Sequence, residues 1–228
     1  MSDVRIKICG LTTPEDARIA ADLGADYFGM ILSQGFKRSI LPSRAVDIEL
    51  AVDARLVGVF VDESVSEVER ICGMIGTSVI QLHGEEERDY VEELRRRGDW
   101  AIWKAIRVRD RATAIHAVRA WGPSVDGVLL DGWHESYPGG GGVSFSWDEM
   151  RSVRVEIPEG VDLIAAGGLR PANVASAVDT LRPDVVDVSS GVELQVGRKD
   201  PDLIRSFIRN ARAGESSAPV EDSVEDVQ

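Results

Sequence analysis

The chain has 228 residues, 43% of them hydrophobic, enough for one large domain with a full core, since α/β barrels run to about 200–250 residues as a single unit. Its formal net charge is −13, from 39 acidic against 26 basic residues, which excludes the broad basic surface that a nucleic-acid backbone needs. No run approaches the ~20 apolar residues of a membrane span, and the start MSDVRIKICG lacks the features of a secretory signal, so a cytoplasmic protein is expected.

Short β-branched runs alternate with amphipathic segments almost from end to end. The first strand, RIKIC from Arg5, ends in Gly10 and leads into the helix PEDARIAADLG. YFGMIL and RLVGVFV follow as the second and third strands, and VSEVERICGMIG as a helix with apolar residues at i, i+3, i+4 and i+7 and glycine as its stop. VIQLHG, the helix ERDYVEELRRRG, AIWKAIRV and DGVLLD continue the alternation. DLIAAGG, the helix PANVASAVDTLR and VVDVSSG complete it. Pro14, Pro42, Pro171 and Pro201 read as helix openings, where the fixed φ of proline is favourable. Strands alternating with helices imply right-handed crossovers and a parallel sheet, and eight such units fit a single (β/α)8 TIM barrel over residues 1–213. A doubly wound open sheet is the alternative, but no GxGxxG follows the first strand. Residues 214–228 are acidic and aperiodic and read as a disordered tail.

A barrel carries its chemistry at the carboxyl ends of its strands. Those positions hold Cys9, Arg38 in the loop after the second strand, His83, Asp131, the pair Gly167 and Gly168, and Ser189, Ser190 and Gly191. Each has a plain structural alternative: a buried thiol, a surface arginine, a turn histidine, turn glycines. Their convergence on one mouth favours an active site. Lys7 shares the face of Cys9 by strand alternation, one layer deeper. Its ammonium can lower the thiol pKa, or it can simply neutralise Asp187 on the last strand. Cys72, on a helix, and Trp103 read as core. Cys9 and Cys72 have no spacing that suggests a disulfide or a zinc framework.

In this order, KICGLTTPEDA, VIQLHGEE, LLD, GGGGVSFSW, AAGGLRPANV, VDVSSGVE and GRKDPDLIRSFI closely resemble the phosphoribosylanthranilate isomerases of tryptophan biosynthesis. The resemblance covers nearly everything except the tail. It implies an Amadori rearrangement of N-(5-phosphoribosyl)anthranilate without cofactor or metal, on a small-molecule substrate, by a monomer or a homodimer. Cys9 takes the general-base position and Asp131 the general-acid position, and Arg38 matches the arginine that meets the anthranilate carboxylate. The reaction asks for a raised pKa at Asp131, which burial favours, and a lowered one at Cys9. Lys7 and His83 are expected near the substrate. Gly167, Gly168, Ser190 and Gly191 are expected to grip the phosphate at or near a helix N-terminus. Gly139 to Gly142 read as a mobile loop closing over substrate, with Gly140 and Gly142 adding phosphate contacts. Two departures follow that loop: Val143 where the family often has a polar residue, and Ser146 where it has aspartate, with Ser146 and Glu149 reading as a capping box.

Three rivals compete. A metal-dependent phosphosugar epimerase needs more metal ligands than His83, His116 and His134 supply, and an indoleglycerol-phosphate synthase needs more strand-end lysines than this chain has. A barrel that binds a phosphorylated ligand without turnover has no use for both Cys9 and Asp131. Only Lys7, Lys37, Lys104 and Lys199 are lysines; the other 22 basic residues are arginines. Acid excess with scarce lysine suits a protein kept soluble in concentrated salt.

Overall fold

Alternation of buried residues drives eight parallel strands into a closed ring, paired in sequence order with the first strand against the eighth. The structure, a computed structural model, describes residues 4–132 and 150–215. The strands are β1 (Arg5–Ile8), β2 (Tyr27–Ile31), β3 (Arg55–Phe60), β4 (Val79–Leu82), β5 (Ala101–Val108), β6 (Gly127–Gly132), β7 (Asp162–Ala165) and β8 (Val185–Val188). Helices α1 (Pro14–Asp22), α2 (Pro42–Glu49), α3 (Val65–Ile75), α4 (Arg88–Arg97) and α5 (Arg111–Trp121) link the first six strands. α6 (Val174–Leu181) joins β7 to β8, and α7 (Pro201–Glu215) closes the chain. Between β6 and β7 the described backbone includes a 3-10 stretch, Arg151–Glu156.

Two apolar layers result. One set of strand side chains, with Ile6, Phe28, Leu56, Ile80, Ile102 and Val128 among it, packs outward against helix faces such as Val68, Ile71, Cys72 and Ile75 of α3. The other set points into the ring, where Tyr27, Val57, Val79, Trp103, Leu129, Ile164 and Val185 form a second cluster. Trp103 is the largest fully buried side chain and meets the Tyr27 ring edge-on at 4.9 Å between centroids. The barrel is thus filled below its mouth. Cys72 and Trp103 are core, as expected, and burial pushes the Cys72 thiol up to about 12.

The opposite, amino-terminal end has its own repeated device. The residue just before each even strand ties back to the preceding odd strand. Asp26, Asp126 and Asp184 accept from the backbone N–H of Ile6, Ile102 and Leu163 at 2.7–2.8 Å, and the Ser78 hydroxyl donates to the Leu56 carbonyl at 3.3 Å. Four consecutive strand pairs are thereby pinned in register.

Three expectations change. Pro171 opens a turn, not a helix: α6 begins at Val174, after Asn173 has accepted from the Arg170 N–H. After β8 the chain makes a 3-10 turn, Ser190–Val192, then an unforeseen hairpin of β9 (Glu193–Gln195) and β10 (Arg198–Lys199). α7 runs to Glu215, two residues past the expected end of the barrel at 213. The expectations for Gly139 to Gly142, Val143, Ser146, Glu149 and the tail beyond Glu215 lie outside the described residues.

Candidate active site

β1 ends by delivering Cys9 to the barrel mouth and turning at once. Gly10 takes a left-handed φ of +71°, and a Cβ there would lie 2.5 Å from Arg38 Cδ. Glycine is required on both counts. Arg38 therefore lies across the turn that presents Cys9. Beneath the thiol, fully buried Lys7 donates from Nζ to Asp187 Oδ1 on β8 at 2.9 Å. Gly29 on β2 leaves the space for both groups, since a Cβ there would fall 2.9 Å from Cys9 Sγ and 3.0 Å from Lys7 Nζ.

The electrostatics of this corner correct one expectation. Burial pushes the Cys9 thiol above its ordinary value and Asp187 adds to that, while Lys7 and Lys199 pull it back without reversing it. Burial also opposes the charge of Lys7, but Asp187 and the thiol outweigh it and hold the ammonium above its ordinary value. Desolvation in the barrel thus exceeds the pull of the cations.

Arg38 is already engaged. Its Nε and Nη2 donate side-on to the two carboxylate oxygens of Glu193, each at 2.6 Å, and Lys199 Nζ donates to the same carboxylate at 3.0 Å. Burial works against the Glu193 charge, yet Arg38 and Lys199 prevail and hold the carboxyl below its ordinary value. The hairpin carrying Glu193 is fastened at its turn, where Thr12 Oγ1 donates to the Gly197 carbonyl at 2.5 Å.

Across the mouth, three strands round the ring from β1, β6 presents Asp131. Its Oδ2 meets His83 Nε2 at 3.3 Å, and His83 Nδ1 meets the Gln81 amide nitrogen at 2.9 Å. Oδ1 faces the β7 loop. Gly167 has φ +82°, and a Cβ there would collide with Gly132 N at 2.2 Å and Asp131 Oδ1 at 2.9 Å. Gly191 lets the β8 loop lie against the β7 loop, since a Cβ would sit 2.0 Å from the Leu169 carbonyl.

Cys9, Arg38, His83 and Asp131 line one cavity of about 380 Å³, with Gly167, Gly168 and Ser190 along its β7–β8 side. This volume is in the range of small-molecule sites. Lys7 and Gly191 do not line it: Lys7 is the floor beneath Cys9, and Gly191 a spacer. Ser190 opens a three-residue 3-10 turn, and Gly167 and Gly168 stand several residues before α6. The glycine turns are therefore near helical turns but not at the start of a long helix. Gln81, Arg107 and Glu193 were missed. The alternation that paired Lys7 with Cys9 applies equally to Gln81 with His83, and it puts Arg107 on the inner face of β5 with Trp103 and Ala105, in register with Asp131. No comparable signal pointed to Glu193, which depends on the hairpin.

A family model described as N-(5'phosphoribosyl)anthranilate (PRA) isomerase matches residues 6–210. An N-(5'-phosphoribosyl)anthranilate isomerase of Trichlorobacter lovleyi is 41% identical over 214 residues, covering 92% of this chain and 98% of the relative. The crystal structure of phosphoribosyl anthranilate isomerase from Thermotoga maritima superposes with a TM-score of 0.84 at 35% identity, covering 92% of this chain and 99% of that one. A second crystal structure, in complex with reduced 1-(o-carboxyphenylamino)-1-deoxyribulose 5-phosphate, gives 0.81 at 34% identity, with the same coverage of both chains.

Proposed function

The chain belongs to the N-(5'-phosphoribosyl)anthranilate isomerase family, and on that premise we propose that Cys9 and Asp131 are the base and the acid of its reaction. The observation that carries this reading is one cavity with a thiol on one wall, a carboxyl on the other and a guanidinium beside the thiol. The substrate is N-(5'-phosphoribosyl)anthranilate and the product 1-(2-carboxyphenylamino)-1-deoxyribulose 5-phosphate, an Amadori rearrangement in tryptophan biosynthesis.

Asp131 gives its proton to the furanose ring oxygen. The bond from that oxygen to C1 breaks as the anthranilate nitrogen shares its lone pair, leaving an iminium. Cys9 thiolate then takes the C2 proton, and the freed pair forms a C1–C2 double bond and neutralises the nitrogen. The enolamine tautomerises to the ketone. Acid and base each contribute typically ~10²–10⁴-fold. Both groups border the cavity: Oδ1 of Asp131 lies beside Gly167, and Lys7 waits under the sulfur to receive thiolate charge.

Arg38 binds the anthranilate carboxylate. Its side-on pair with Glu193 uses Nε and Nη2, which fixes the plane and leaves the Nη1 edge for the substrate. The turns at Gly167–Gly168 and Ser190 bring backbone N–H groups to the phosphate, with Gly191 the spacer that lets the two turns meet. The test is turnover by the purified protein: loss of substrate fluorescence with formation of a product of equal mass carrying a C1 methylene and a C2 carbonyl. No conversion, or release of free anthranilate alone, would overturn the reading.

A further inference from the structure

Gln81 sits on β4 with its side chain inside the barrel and only 1% of its surface exposed, yet it borders the cavity. Packing does not account for it. Its amide oxygen is buried and has no hydrogen-bond partner among the described residues, a cost that an apolar side chain of the same shape would avoid. The amide nitrogen is engaged, 2.9 Å from His83 Nδ1. Across the intervening strand β5, His83 places Nε2 3.3 Å from Asp131 Oδ2.

The proton positions along this chain depend on one another. An ionised carboxylate only accepts, so the nitrogen facing it must carry the hydrogen, and in a neutral imidazole the other nitrogen is then an acceptor. An amide N–H2 is the group that satisfies such an acceptor. We propose that Gln81 is a positioning residue for the reaction. It donates to His83 Nδ1, which keeps the ring proton on Nε2 and directs that N–H at Asp131.

The consequence is local. His83 holds Oδ2, so the carboxyl is turned with Oδ1 toward the substrate side at Gly167. The negative charge that appears when Asp131 gives its proton to the ring oxygen meets a donor already in place. A bond of 3.3 Å before substrate binds is of the kind that tightens in the reacting complex.

The inference rests on Asp131 being the acid, so the deciding measurement is one that does not need turnover. ¹⁵N chemical shifts of the His83 ring in the labelled wild-type protein are expected to report the Nε2–H tautomer. Gln81→Glu, which can only accept, is expected to move hydrogen onto Nδ1. Gln81→Met, which cannot donate, is expected to give a mixture of tautomers. Both should lower kcat by about 10–100-fold, the range for partners that orient a catalytic group, with KM nearly unchanged. An Nδ1–H tautomer in the wild type would overturn the proposal by itself, even if a variant failed to fold. So would a folded Gln81→Met with wild-type kcat and tautomer. Failure of Asp131 as the acid would appear separately, as an active Asp131→Asn.

Discussion

At the scale of single residues, burial sets the chemistry of Cys9 more than its cationic neighbours do. Desolvation lifts the thiol above its ordinary value, and the arrangement that the reaction needs, thiolate with a protonated carboxyl, carries one proton between the two groups. Thiols ordinarily lose their protons far above carboxylic acids. kcat/KM is therefore expected to stay level across neutral pH, with its alkaline limb above the ordinary thiol range, where the thiol's proton leaves the pair. A pH–rate profile checks this, and an alkaline limb near neutrality would show an activated thiol instead. Arg38 gives a second prediction. Arg38→Ala should raise KM by about tenfold or more, because it removes a charge-assisted contact of about 1.5–3 kcal/mol, while kcat hardly moves. An unchanged KM would leave Arg38 as a structural partner of Glu193 alone. These roles were only partly legible beforehand. Strand ends and alternation located Cys9, Lys7, His83 and Asp131, but the sign of the thiol shift depends on how deeply Lys7 and Asp187 are enclosed with it, which no local sequence shows.

At the scale of elements, the two ends of the barrel divide stability from function. The strands were readable because β-branched runs, proline starts and glycine stops agree locally. Ser64 at the start of α3 and left-handed Gly76 at its end show that agreement. The hairpin at Glu193–Lys199 was not readable. Its two strands are three and two residues long, and what fixes them is a set of distant contacts to Thr12, Asp16 and Arg38. Asp126 tests the division. It lies before β6, at the far end from the cavity, and its Oδ2 accepts from both the Ile102 N–H and Arg95. Asp126→Ala should cost about 1–2 kcal/mol, since the pair with Arg95 is exposed and adds little to the charge-assisted backbone bond. Chemical denaturation should show that loss while kcat and KM stay at wild-type values. A drop in kcat with stability intact would contradict the division.

At the scale of the whole molecule, charge and topology act separately. The net charge of −13 bears on the surface, and self-repulsion should weaken as salt screens it. The melting temperature is expected to rise between dilute buffer and molar salt; a flat or falling trend would remove the halophile reading. Exposed pairs such as Arg70–Glu67 and Arg97–Glu69 do not reverse this expectation, because such pairs contribute little to begin with. The ring closure itself, β1 against β8, was legible from the count of eight alternating units and is what brings Cys9 and Asp131 to one cavity. Proton transfer by those two groups, from Asp131 to the ring oxygen and from C2 to Cys9, is the central claim, and steady-state turnover of Cys9→Ser and Asp131→Asn tests it most directly. Serine keeps the size of the base position but is far too weak an acid to supply an anion, and asparagine keeps the shape of the acid position without its proton. Each is expected to lower kcat by roughly 10²–10⁴ with KM changing far less. A Cys9→Ser protein that keeps most of its turnover would contradict it, leaving the thiol a core residue and moving the base to another group at the mouth.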